Sequence, residues 1–178
     1  VYYLKKKYYP IIAREDMPSG VAKNVVDVGF NMKPLFYNRD GKRELYYIGN
    51  QTGYTSIYRV DLDNEKPTPE VLVEGERSSE FEAFHLFQNK LDISKNGLLA
   101  FVTKSGETDV LHLYDLKTGN MPDPLRFADL VVLGSPSWSP DGNRIALSAV
   151  DKAGMSDLYV FDLTSKSLTR LTNDFYED

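Results

Sequence analysis

Ser135-Pro136-Ser137-Trp138-Ser139-Pro140-Asp141-Gly142 leads directly into Arg144-Ile145-Ala146-Leu147-Ser148-Ala149 and then into Asp157-Leu158-Tyr159-Val160-Phe161-Asp162-Leu163. The set reads as a turn followed by two strands, and weaker copies of it lie upstream. Asp-Leu pairs recur at Asp61, Asp115 and Asp162, and turn dipeptides recur at Asp40-Gly41, Asn96-Gly97 and Asp141-Gly142. These two independent markers share a spacing of 45 to 56 residues, which is the length of one β-propeller blade.

Working outward from the third copy, each repeat offers four short runs rich in aromatic and β-branched residues, separated by Asn, Asp and Gly. The first repeat has Pro34–Tyr37, Glu44–Ile48, Ser56–Leu62 and Glu70–Val73. The second has Leu91–Ile93, Leu98–Thr103, Val110–Leu116 and an outer portion from Leu125 to Leu133. The third has Ser137–Ser139, Arg144–Val150, Leu158–Leu163 and Leu168–Leu171. The expected fold is therefore all-β: a partial β-propeller of about three four-stranded antiparallel blades, over residues 32–87, 88–134 and 135–178. A meander of four strands cannot cover both its faces, so the blades must stack on one another.

Residues 1–31 have a different texture. Tyr2, Tyr3, Leu4, Tyr8, Tyr9, Ile11 and Ile12 interleave with Lys5, Lys6 and Lys7 around Pro10, and no repeat marker occurs. The expectation is an N-terminal helical or extended linker, with Ser19 capping a second helical piece over Gly20–Val26.

Composition narrows the function classes. With 42% hydrophobic and 12% aromatic residues, the 178-residue chain can bury a core of its own. No run of about 18 apolar residues is present to cross a bilayer as a helix, and no charged-then-apolar leader opens the sequence. Cysteine is absent, which excludes disulfides, thiolate metal sites and a cysteine nucleophile. The net charge is -5, and because Val1–Arg14 carries four cations and no acid, the remainder is more acidic still. Such a body repels nucleic acid.

The third repeat resembles the WD40-like PD40 repeat of the TolB-like β-propeller family. The resemblance rests on Trp138–Gly142, Ile145-Ala146-Leu147, Asp157-Leu158-Tyr159 and the closing Leu171-Thr172. The first two repeats keep only Asn38-Arg39-Asp40-Gly41 and Ser94-Lys95-Asn96-Gly97 in place of the Ser-Pro-Asp-Gly turn. A second resemblance is carried by Lys5–Arg14, Met17-Pro18-Ser19 and Phe81–Leu86. It is to bacterial proteins that join a metallopeptidase-like domain to a TolB-like propeller, with the first 30 or so residues as the connecting segment. The zinc motif His-Glu-x-x-His does not occur in the chain, so no peptidase activity is carried over.

Candidate chemistry competes at each point with a structural role. Asp141, Asp151 and Asp157 invite a calcium reading, but Asp-Gly turns need the carboxylate and the positive φ for the hairpin itself, and no EF-hand ladder is present. Glu82 and His85, with Glu80 nearby, have a spacing that would suit metal ligands on one helix face, whereas His112 sits in an apolar run and reads as structural. There is no Gly-x-Ser-x-Gly elbow and no phosphate-binding glycine loop. Trp138, Tyr46, Tyr47, Tyr58, Tyr114 and Tyr159 recur at strand positions, which points to packing between blades ahead of a contact surface.

No catalytic, cofactor-binding or metal-ligating residue is assigned. The resemblance implies a non-catalytic scaffold that binds a protein or peptide in the bacterial periplasm or cell envelope. The rival is an accessory propeller that gates or positions substrate for a peptidase domain elsewhere in a longer chain. A propeller enzyme acting on oligosaccharides through a histidine-held metal has too few histidines here. Connections 49–54, 104–109 and 150–156 are the expected contact loops, and blade faces left uncovered are expected to promote self-association.

Overall fold

A computed structural model describes residues 2–6, 10–16, 21–75, 81–85 and 90–173, with side chains from residue 24 onward. All of its regular structure is β. Two compact units divide the chain, Val1–Arg77 and Ser78–Asp178.

The first unit opens with β1 (Tyr2–Lys6), β2 (Pro10–Asp16) and β3 (Val21–Val26), an antiparallel meander in that order. Of the two forms expected for residues 1–31, the helix is not the one adopted: the described residues are strands. Pro10 starts β2, where a missing N–H is tolerated, and Val21, Val25 and Val26 favour the pleated backbone over a helix. Ser19 and the Met17-Pro18-Ser19 motif lie outside the described residues.

β4 (Asn31–Arg39), β5 (Lys42–Gly49), β6 (Ser56–Asp61) and β7 (Glu70–Glu74) then form a four-stranded antiparallel sheet in sequence order. Asp40 and Gly41 join the first pair, both with positive φ (51° and 85°), the backbone of a two-residue hairpin whose twist matches its strands. One face carries Leu45, Tyr47, Tyr58, Val60 and Leu62, packed with Val26. Tyr47 and Tyr58 sit opposite each other and stack at 5.3 Å.

The second unit holds two sheets. β8 (Ala83–Phe84) and β9 (Asp92–Ile93) both pair with one side of β10 (Leu98–Ser105), and β11 (Thr108–Asp115) pairs with the other. β8 and β9 thus share the place of a first strand: Phe84 faces Thr103 and Asp92 faces Ala100, three positions apart on β10. A single bridge, Leu111 to Leu125, stands in the place of the fourth strand. β12 (Leu130–Trp138), β13 (Arg144–Asp151), β14 (Ser156–Asp162) and β15 (Ser167–Arg170) form the other sheet in sequence order.

Sheet boundaries therefore differ from blades cut at 32–87, 88–134 and 135–178. Ala83–Phe84 belongs with the second sheet, and the stretch from Leu130 onward opens the third instead of closing the second. The cause is irregular register in the first strand of each sheet, at Met32/Leu35, Phe84/Asp92 and Gly134/Ser137. Lys33 and Ser135, both with positive φ, mark two of these bulges.

The Asp-Leu repeat has a common structural meaning. Leu62, Leu116 and Leu163 each donate a backbone N–H to the carbonyl of Arg43, Gly97 or Asn143, at or just past the turn of the same sheet. The preceding Asp61, Asp115 and Asp162 fold back to accept backbone N–H groups two or three residues on. Each pair thus locks the third strand to the first hairpin.

One further regularity identifies the N-terminal meander. β12 packs on β10 and β11, the second and third strands of the sheet before it, and β4 packs in the same way on β1 and β2. β1–β3 thus occupy the places of the second to fourth strands of a blade.

Candidate functional site

Strand parity builds one recess of the second unit. On β13, Ile145, Leu147, Ala149 and Asp151 share one face; on β14 it is Asp157, Tyr159 and Phe161; on β15 it is Leu168 and Arg170, paired opposite Phe161 and Tyr159. Most of this face is covered by the neighbouring sheet through Ala100, Val102 and Leu111, forming one continuous core. Burial of each large side chain there contributes about 1.5–3 kcal/mol. Towards the loops the cover runs out, and residues 126–130, which lead from one sheet to the next, roof an open cleft of about 500 Å³.

The cleft is chemically mixed. Phe127, Leu130 and Leu168 supply its apolar wall, while Asp129, Asp151 and Tyr159 bring polar groups and Arg126 and Arg170 flank them. Arg170 is committed to Asp157, a fully buried carboxylate that also accepts from the Thr172 hydroxyl at 2.9 Å. That hydrogen bond to Asp157 raises the Arg170 pKa. Arg126 donates to the Ser105 hydroxyl at 2.9 Å. Asp151 turns one oxygen to the backbone N–H groups of Ala153 and Met155.

Tyr159 is 7% exposed, and no described residue hydrogen-bonds its hydroxyl. Burial raises its pKa; Arg170 works against this, and Asp157, Asp151 and Asp129 add to it.

Two carboxylates fasten the seam beside this cleft. Asp109, 3% exposed, accepts the Leu133 N–H at 2.9 Å with one oxygen and meets His85 Nε2 at 2.8 Å with the other. Asp92 accepts the Trp138 N–H at 2.7 Å. β12 is thereby held at two points by side chains of the preceding sheet.

The sequence candidates resolve as follows. Glu82 and His85 flank the short strand β8, so their spacing is not that of a helix face, and His85 engages Asp109 instead; Glu80 lies outside the described residues. His112 is buried, stacked on Phe101 at 4.9 Å and bonded to the Thr103 hydroxyl at 2.8 Å. Asp141 accepts from the Ser139 hydroxyl and the Asn143 N–H, and the Ser139 bond leads in lowering its pKa. Asp141, Asp151 and Asp157 thus direct oxygens at donors of the protein itself, and among the described residues no group of His, Asp and Glu is arranged to hold a metal.

Tyr46, Tyr47 and Tyr58 are core residues. Loops 49–54, 104–109 and 150–156 each join the second strand of a sheet to the third, so all occupy the corresponding end of their own sheets. Loop 49–54 rests on the tyrosine stack through Gln51 Nε2 to Tyr47 Oη (2.8 Å) and Thr52 N to Tyr58 Oη (3.1 Å). The cleft shares that end, because Asp151 begins loop 150–156. Asp109, Asp129 and Arg170 carry no motif that would single them out. The one usable signal is the parity that sets Asp157 and Tyr159 on a buried face and Arg170 across from them.

No family model matches the chain. Over 122 residues, 66% of the chain, it is 29% identical to the Tol-Pal system protein TolB of Ruthia magnifica subsp. Calyptogena magnifica, and it spans about a quarter (26%) of that curated relative. Among solved structures, TolB from Acinetobacter baumannii matches 96% of this chain with a TM-score of 0.72 at 20% identity, using 40% of its own length. A puromycin-hydrolyzing peptidase of Mycobacterium tuberculosis matches 90% with a TM-score of 0.67 at 20% identity, over 24% of its length. The repeating four-stranded meanders, the Asp-Leu locks and these likenesses agree: the chain has the fold of a TolB-like β-propeller.

Proposed function

We propose that this chain is a scaffold of the bacterial cell envelope that binds a protein or peptide at the end of its sheets carrying loops 104–109 and 150–156. The observation that carries this reading is the cleft itself. A recess of about 500 Å³ that combines apolar walls with convergent polar groups falls in the size range of ligand sites. The likeness to TolB supports the scaffold role and the envelope location. Exposed Val132 and Leu158, at 37% and 43%, share the opposite face of the third sheet. Self-association through that face accompanies the proposal and is read by light scattering, where a monomer at high concentration refutes it.

A photo-crosslinking amino acid placed in intact bacteria at Glu107 or Ala153, and at Lys117 or Lys166 on the opposite sheet ends, tests the binding role. Discrete protein adducts from the first pair and none from the second are expected. Absence of adducts, or equal labelling from both ends, overturns it.

A second reading has its own support: several structural neighbours are peptidases, including a prolyl endopeptidase matched over 93% of this chain. On that reading the propeller positions substrate for a catalytic domain elsewhere in a longer protein. Peptidase activity of the full-length protein that changes on substitution in the cleft would favour it.

A further inference from the structure

We infer that the cleft of the second unit is an anchor for a lysine side chain of the bound partner; this deepens the binding role proposed above and rests on it. The inner end of the cleft has the chemistry of an ammonium site. Its floor is the Tyr159 hydroxyl, on a residue 93% removed from solvent and without a hydrogen-bond partner among the described residues. That hydroxyl is open to the cleft, and a ligand donor can take the place of solvent on it.

The charge around that hydroxyl is negative on balance. Asp129, Asp151 and Asp157 stand near it; of the two cations lining the cleft, Arg170 is taken up by Asp157 and Arg126 donates to Ser105. Asp129 accepts no side-chain hydrogen bond from any described residue, and its backbone carbonyl is already used by the Lys152 N–H. An anion would meet uncompensated carboxylates there. A cation meets two carboxylates and a phenol oxygen, which suit the three donors of an ammonium group. Phe127, Leu130 and Leu168 line the approach, matching the apolar stem that lysine buries behind its charge.

The test is an amide-resolved NMR titration of the whole chain with Nα-acetyl-lysine N-methylamide, with the norleucine and arginine analogues as controls. Saturable shifts at Leu130, Asp151 and Tyr159 are expected for the lysine probe, with binding weakened about five-fold by Asp129→Asn and also by Tyr159→Phe. Spectral dispersion and thermal midpoint check that each variant is folded. Norleucine shifting the same amides equally well overturns the anchor, as does tighter binding of the arginine analogue or a lysine affinity indifferent to Asp129→Asn. The two readings fail separately. A partner that crosslinks from Ala153 as strongly in the Asp129→Asn protein as in the parent sinks the anchor and leaves the scaffold role standing, whereas absence of any adduct sinks the scaffold role whatever the titration shows.

Discussion

Replacing Asp109 with alanine isolates what holds the two sheets of the second unit in register. Asp109 lies on the third strand of one sheet, and its carboxylate reaches the Leu133 N–H on the first strand of the next and His85 on the interrupted strand of its own. Leu133 is 2% exposed, so its N–H has no route to water once the carboxylate is gone; an orphaned buried donor costs about 1–3 kcal/mol. The His85 contact is worth less, about 0.5–1 kcal/mol, because the imidazole is a third exposed and screened. Together the loss is about 1.5–4 kcal/mol, a large share of the 5–15 kcal/mol typical of a domain.

Asp109→Asn keeps an acceptor for Leu133 and an amide for His85, so it loses about 1 kcal/mol. His85→Ala removes only the weaker partner. Urea unfolding gives the totals, and hydrogen exchange at the Leu133 amide gives the mechanism. Protection at Leu133 falls in Asp109→Ala and stays near wild type in His85→Ala. A loss below about 0.5 kcal/mol in Asp109→Ala, with Leu133 protection unchanged, would refute the fastening role.

The glycines of the recurring turns divide conformational cost from contact cost. Gly41→Ala meets open space at φ 85° and loses about 1 kcal/mol from conformation alone; Gly142→Ala, at φ 71°, adds a Cβ 3.1 Å from the Asn96 amide nitrogen and is the more destabilised in thermal melts, so the reverse order contradicts this account. Asp115 and Asp162 have pKa values lowered first by the backbone N–H groups of Lys117 and Ser165, so their contribution is full above the unfolded carboxylate pKa of about 3.9 and disappears as pH falls through the lower folded value. Asp115→Asn/Asp162→Asn keeps turn acceptors that do not titrate, and its urea midpoint drops less between pH 6 and pH 3 than that of the parent; equal drops would rule the idea out.

The repeat was legible because its markers are local. An Asp-Gly or Asn-Gly turn and an Asp-Leu pair each satisfy backbone groups within a few residues, and the strand runs of the first sheet coincide with β4–β7. The N-terminal segment was ambiguous for the converse reason. Its alternation of Tyr and Lys with scattered valines fits a short amphipathic helix as well as a strand, and what decides the matter is tertiary: β1 and β2 gain β4 as a packing surface. Sheet boundaries were blurred by the same kind of non-local event, because a first strand divided between Ala83–Phe84 and Asp92–Ile93 leaves two fragments too short to register as a strand.

The cleft shows why a site can hide inside a correctly read repeat. Asp157 reads as one more loop acid beside Asp151, and Tyr159 as one more packing aromatic; each description is accurate for half of the residue. Alternation along β14 turns both inward with Phe161, so the aspartate must find a cation, and the register of β15 delivers Arg170 across from Tyr159. Once that pair has formed, the tyrosine lies among the charges of Arg170, Asp157, Asp151 and Asp129, which come from separate strands and connections. None of these residues is unusual in type or spacing. Their joint character arises only where the core between two sheets reaches solvent, and at that boundary a repeat protein can vary its chemistry without disturbing the turns and Asp-Leu locks that define its fold.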